Sequence, residues 1–490
     1  MKICLYLQRR FSFLGHNIAM ELKNSYGAEE FCCYVYGRYA EKFIKDQSDI
    51  EYSEILVEED LHKKAEEVEL DMDFIKKFEE EYGLPNAWPY LLVDRHIMMS
   101  VPKSDYSKKP SCSHEKMLKY LQVEAKAMIA FLEKEKPDAV IFALVGSLGS
   151  MVLYHVAKKM GIKTINIEPA RIKGYITVTD NCYCSLSNAD KLFDKLQAGE
   201  VDSKFEKEAE DFLKESREKE VRYSWVKDLM NKKKIGPLKF LLLEIKGFIQ
   251  HSINYYRKSK GDYIMQKPSW FLSNKIVRLC RRIRGYKKLY SKPDLNEDFV
   301  FFPMHQDPEI ATLLLSPFHI DQVNLIEDIA KSLPVHFKLY VKDHPAMLYS
   351  RPMREYKRIK RIPNVELIDP NYSSIKLTKA SKLVTTITGT AGFEGVVLKK
   401  PIITFGEVFY NKLSMVKRVR CMEDLPSTIK DILRNHKHDD EELKNFIAAI
   451  LETSEVIDYN KLWNEMDEDK KEIAKFAKLF ARELGLKKTS

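Results

Sequence analysis

Residues 339–347 read LYVKDHPAM: an apolar run, Lys342, Asp343, and a histidine set against a proline. Pro345 cannot donate to a sheet ladder, so it ends strand pairing and leaves His344 at the carboxyl end of a buried strand. In open α/β sheets that edge binds ligands. A histidine there can donate to a phosphate oxygen or act as an acid, with Lys342 adding charge nearby. The plainer reading of His344 is a strand-end residue bonded to a neighbouring loop.

A second constellation is KLVTTITGTAGFEGVVLKKPIITFG, which predicts a strand, a short Thr/Gly loop, a helix and another strand. In such a loop the amides and hydroxyls of Thr388, Gly389, Thr390 and Gly392 can reach a phosphate at a helix N-terminus, where the dipole favours negative charge. Glu394 is expected in the helix's first turn, placed to accept from a ribose or sugar hydroxyl. Glycines that serve only a tight turn are the structural alternative. The GxxxxGK[ST] spacing of an ATP-hydrolysing P-loop is missing. One strand earlier, FVFFPMHQDPEIATLL puts His305, Gln306, Asp307 and Glu309 just past a strand tip. Pro308 suits a helix start, and Asp307 suits an N-cap. Three strand ends with polar residues on one edge favour a nucleotide site.

These residues need elements to hold them. From Asp298 onward the chain alternates strand and helix patterns, and before residue 184 KPDAVIFALVGSLGSMVLYHVAKKMGIKTINIEPAR reads as strand, helix, parallel strand. An earlier strand at Lys2 to Leu7 leads to a loop with Gly15 and a helix over His16 to Lys23. The expected fold is therefore α/β, with two Rossmann-like domains facing a cleft. Its expected divisions are an N-terminal domain (1–184), a basic helical insertion (185–295), a C-terminal domain (296–425) and a helical tail (426–490) that crosses back to the first domain.

The chain has 490 residues, 44% of them apolar and 31% charged, which is the composition of a folded two-domain protein. No apolar stretch is long enough to span a bilayer, and the N-terminus reads as a strand rather than a signal peptide. The eight cysteines lack metal-site spacing, which suggests free thiols in a reducing cytoplasm. Between Arg222 and Lys292 there are 19 Lys/Arg against three Asp/Glu, so the net charge of +9 belongs to this segment. Its basic residues stand beside Trp225, Phe240, Phe248, Trp270 and Phe271, which suits an anionic membrane surface at the inner face of the plasma membrane. A solvated helical insertion is the plainer account, and no nucleic-acid module accompanies the charge.

The runs MHQDPEIATLLLSPFHIDQ, LYVKDHP and TTITGTAGFEGVVLKKPIITFGEVFY, within residues 296–425, resemble the capsular polysaccharide synthesis proteins, which include Kdo transferases. The His-Pro pair followed by a Thr/Gly loop is also similar to bacterial sialyl- and polysialyltransferases. The resemblance implies a metal-independent GT-B glycosyltransferase, with a nucleotide-sugar in the C-terminal domain and a glycan or glycolipid acceptor in the N-terminal one. It places His344 at the donor phosphate and Thr388, Gly389 and Thr390 around it; Lys342, His305, Glu309 and Glu394, read from their places at the strand ends and helix start, complete the expected donor site. CMP-activated acidic sugars are the favoured donors, and UDP-sugars the second choice. The Ser-Ser or Ser-Thr pair familiar in that loop is here Thr388-Gly389-Thr390.

An inverting transfer also needs a carboxylate to take the acceptor's proton. Asp94 in LLVDRH and Glu168 in INIEPAR are the candidates; either also reads as an ion-pair partner, of Arg95 or Arg171 respectively, and Arg171 suits an anionic sugar or acceptor. Asp71-Met72-Asp73 has the form of a metal-binding DxD but lies in a charged helical stretch, so no catalytic metal or other cofactor is expected. Three alternatives share much of this pattern. A CDP-glycerol-type glycerophosphotransferase would carry an acidic-Tyr-Ser-Ser motif at the Gly loop, whereas Tyr372-Ser373-Ser374 comes before the strand. A sugar-nucleotide 2-epimerase would carry an Asp-Ser-Gly-Gly loop, which is not found. A non-catalytic nucleotide-sugar-binding component of the same assembly is the third.

Overall fold

Near-continuous apolar runs such as KICLYL and FVFFP mark strands covered on both faces, as parallel sheets require. A computed structural model describes residues 1–8, 10–82, 85–99, 112–172, 174–183, 186–218, 237–258, 267–283, 289–459, 461–465 and 469–489. The first domain contains β1 (Lys2–Leu7), β2 (Glu30–Val35), β3 (Tyr52–Val57), β4 (Ala139–Phe142), β5 (Lys163–Pro169) and β6 (Tyr175–Thr179). The second contains β7 (Phe299–Pro303), β8 (Lys338–Lys342), β9 (Val365–Ile368), β10 (Leu383–Thr386), β11 (Ile402–Thr404) and β12 (Val416–Arg418). A final strand, β13 (Glu455–Val456), returns to the first sheet.

The first sheet runs β13-β6-β5-β4-β1-β2-β3 and the second β12-β11-β10-β7-β8-β9. The second sheet is parallel throughout; in the first, only the β5-β6 and β6-β13 pairs are antiparallel. In each sheet the strand order reverses beside the domain's first strand, and the crevice opened there is where such folds bind ligands. In the second domain that point lies between β7 and β10, with β8 next to β7, so the three polar strand ends are spatial neighbours.

Several elements differ from the sequence reading. The first helix spans Phe11–Tyr26, so Gly15 is helical rather than in a loop; a Cβ there would meet Leu7 at 2.8 Å. The segment read as an insertion divides in two. Helices Ser187–Gln197 and Glu206–Glu218 bury Phe193, Leu196 and Leu213 in the second domain's core beside helix Asp440–Glu452. Helices Pro237–Lys258 and Pro268–Ile283 form a hairpin held by Phe248 stacked on Phe271 and by a Lys275–Glu244 ion pair. Trp225 and the Phe240 side chain lie outside what is described. Helix Leu425–Asn435 stays in the second domain's core. The chain then crosses back after Glu452, and helix Lys470–Leu484 places Ile473, Phe476 and Phe480 in the first domain's core. Among the described residues no helix is long and apolar enough to cross a membrane.

Candidate active site

At the crevice of the second sheet lies a cleft of about 270 Å³, closed on one side by Arg171 of the first domain. The end of β8 contributes Lys342 and His344, and the segment after β7 contributes His305 and Glu309. The loop and helix after β10 add Thr388, Gly389, Thr390 and Glu394. Gly392, Glu168 and Asp94 do not line it.

His344 is positioned by its neighbours. Its Nδ1 accepts from the Ala346 N–H at 3.2 Å, capping the short turn that Pro345 opens, so the ring proton of the neutral form sits on Nε2. Burial pushes its pKa down to about 4 against the opposing pull of Asp343, which leaves a neutral donor at pH 7. Behind it, Asp343 is fully buried and holds the His344 N–H at 2.8 Å. Asp343 also takes Arg351 Nε at 3.2 Å and the Tyr356 hydroxyl. Arg351, itself without exposed surface, donates onward to the His305 carbonyl at 3.1 Å. One buried ion pair thus ties the ends of β7 and β8 together. Asp343, Arg351 and Tyr356 were not among the sequence candidates; an aspartate directly after a buried strand was the available signal for the first of them.

His305 lines the cleft, but its Nε2 is engaged within the protein. Its Nε2 accepts from the Thr388 N–H at 3.3 Å, and burial pushes its pKa down to about 4. This corrects the expected cradle. Thr388 spends its amide on His305 and its hydroxyl on the Ala311 carbonyl at 3.1 Å, while Gly389 N–H donates to Thr386 Oγ1 at 3.1 Å. At the start of helix Thr390–Val397 the amides of Thr390 and Ala391 have no intrahelical partner, as at any helix N-terminus. The two glycines are spatial requirements: a Cβ on Gly389 would meet Thr386 Oγ1 at 2.6 Å, and one on Gly392 would meet Tyr410 Oη at 2.1 Å. Tyr410 Oη in turn donates to the Gly389 carbonyl at 2.6 Å.

Other expectations are revised as well. Glu394 lies past the first turn of its helix yet still faces the cleft. Asp307 is buried and is not the N-cap of helix Ile310–Leu313, a position taken by Glu309. Asp94 does not fit an acid–base role. Its Oδ1 accepts from His96 and Ile97 N–H at 2.9 and 3.1 Å and its Oδ2 from Leu148 N–H at 3.1 Å, so both oxygens hold helix N-termini. Glu168 pairs with Arg171 at 3.2 Å, and Arg171, in the left-handed region at φ 60°, carries that pair to the cleft wall. Asp71 caps helix Met72–Glu81 through the Phe74 N–H and pairs with Lys126.

The domains touch beside the cleft. A Cβ on Gly146, in the turn after β4, would lie 2.3 Å from Ile310 Cδ1 of the second domain.

Residues 300–417 match the family model described as capsule polysaccharide biosynthesis protein, which covers the three strand ends of the site. A curated relative, Protein FixF of Sinorhizobium fredii, is 29% identical over 174 residues, 34% of this chain and 40% of that protein, so the match spans less than half of the relative's length. Among solved structures, Thermosulfurimonas dismutans KpsC, a beta Kdo 2,4 transferase, is similar at a TM-score of 0.37 and 16% identity, over 64% of this chain and 80% of that one. UDP-GlcNAc 2-epimerase of Methanocaldococcus jannaschii, in complex with UDP-GlcNAc and UDP, is similar at a TM-score of 0.28 and 13% identity, over 92% and 99% of the two chains.

Proposed function

We propose that this protein is an inverting glycosyltransferase of surface polysaccharide synthesis, moving a sugar from a nucleotide donor to a glycan acceptor. The observation that carries the reading is the convergence, on one cleft, of a neutral His344 Nε2–H, Lys342 and the N-terminus of helix Thr390–Val397, with Arg171 opposite. In this reading the acceptor hydroxyl attacks the anomeric carbon as the bond to the donor phosphate breaks. Negative charge then grows on the phosphate oxygens. Donors fixed beforehand by burial and hydrogen bonding stabilise that charge without reorganising. In this reading Glu309 and Glu394, which line the cleft, accept from donor hydroxyls. Glu168 is the proposed base, turning from its pair with Arg171 at the cleft wall to the acceptor hydroxyl, since both oxygens of Asp94 are engaged by backbone. The His-Pro and Thr/Gly motifs favour a CMP-activated acidic sugar over a UDP-sugar.

A thermal-shift series with CMP, CDP, UDP and ADP tests this. A nucleotide at about 100 times its dissociation constant adds roughly 2.7 kcal/mol, and CMP is expected to stabilise most. Selective stabilisation by CDP would favour glycerophosphate transfer. No shift with any nucleotide would remove the enzyme readings together.

The helical hairpin is proposed as the contact with an anionic membrane. Leu242, Ile249, Ile253, Leu272 and Ile276 are exposed on it, interleaved with Lys246, Arg257, Arg278 and Arg282. Arg281 donates to the Tyr349 and Ser350 carbonyls, next to the buried Arg351, so the hairpin is fastened beside the site.

A further inference from the structure

The first domain carries a polar cluster that the cleft does not use. Glu58 follows β3 directly, His62 lies one turn later on helix Glu58–Lys64, and Glu124 reaches across from helix His114–Glu135. Their ligand atoms lie within 4.8 Å of one another, with His62 Nε2 3.2 Å from Glu124 Oε1 and 4.0 Å from Glu58 Oε1. Neither carboxylate has any exposed surface, and His62 is only 9% exposed.

Both oxygens of Glu58 and Oε1 of Glu124 are buried without a hydrogen-bond partner. Of the neighbouring hydroxyls, Tyr34 Oη donates to Glu124 Oε2 at 3.1 Å and Tyr6 pairs with Ser147 at 3.0 Å, and both also face Glu58. Two buried carboxylates facing one imidazole, with Asp94 adding negative charge nearby, need a compensating positive charge.

We propose that Glu58, His62 and Glu124 bind a divalent transition-metal ion, zinc fitting best, as a structural site joining the two helices at the edge of the first sheet. Zinc bonds of about 2.0–2.2 Å set tetrahedral ligand atoms about 3.4 Å apart, a spacing that the 3.2 and 4.0 Å separations bracket. One imidazole and two carboxylates leave a fourth position for water. Tyr34 holds Glu124 Oε2 and so turns Oε1 inward, the support expected around a metal ligand. Gly149 permits the close approach, because a Cβ there would lie 2.0 Å from Tyr34 Oη and 3.1 Å from Glu58 Oε1.

The full chain, expressed with added zinc, is expected to retain about one ion per chain by elemental analysis, and protein grown with cobalt is expected to show the visible bands of low-coordinate Co²⁺. Glu58→Gln and Glu124→Gln should each lose the ion and lower Tm. The opposite pattern overturns the proposal: no bound metal in the parent protein, with Glu58→Gln raising Tm because a buried charge needing a proton has been removed. Cobalt bands that persist in both variants would also overturn it.

Discussion

At the scale of residues, His344 is the group whose chemistry is most exposed to test. His344→Ala is expected to lower transfer by about 10²–10³-fold, the usual cost of one preorganised donor to a developing anion. Tm should stay near the parent's, since the buried Asp343–Arg351 pair is left intact; unchanged turnover would return the residue to a purely structural role. The histidines also set a pH dependence. His305 and His344 titrate near 4 in the folded protein, against about 6.5 in the unfolded chain. Between those values the unfolded chain binds more protons, so stability is full above about pH 6.5 and is lost as pH falls toward 4. His155, lowered to about 4 by burial, adds in the same direction. Tm measured from pH 7.5 to 4.5 should fall, and less steeply in His344→Ala; parallel slopes for the two proteins would contradict this. His344 was legible in the sequence because proline is a local signal that ends a strand. Arg351 and Tyr356 were not, because a basic residue in LYSRPMREY looks like any solvated charge until packing closes over it.

At the scale of elements, alternating apolar runs made β7, β8 and β10 readable, and with them the edge that carries the site. The partners of those strands were harder to see. β9 has four residues and β12 three, so neither holds enough pattern to separate from a loop, and each is stabilised by ladder pairing to the strand beside it, β8 and β11 respectively. The Thr/Gly loop was legible as a loop before a helix, but which amides stay available depended on His305 and Ala311, about 80 residues away. The hairpin belongs to this scale too. Flotation of the full chain with phosphatidylserine-containing vesicles is expected at low salt and should weaken as salt screens the lysines and arginines. Failure to float at low salt would leave the hairpin as solvated helices.

At the scale of the molecule, the cleft needs both domains, and Gly146 is where they meet. Gly146→Ala forces its new methyl against Ile310, so the walls should separate and transfer should fall about tenfold. Ile310→Ala frees that space, and the double variant is expected to recover most of the loss, a coupling typical of residues in contact. Additive effects of the two changes would place the loss elsewhere. The crossing after Glu452 has a different consequence, one of timing. The first sheet's edge strand β13 and the core residues Ile473, Phe476 and Phe480 are made about 280 to 300 residues after β6. On the ribosome, then, the second domain can close its core while the first still waits with an open sheet edge and an uncovered helix Phe11–Tyr26. Of the two domains, the one made first is the one that finishes folding last.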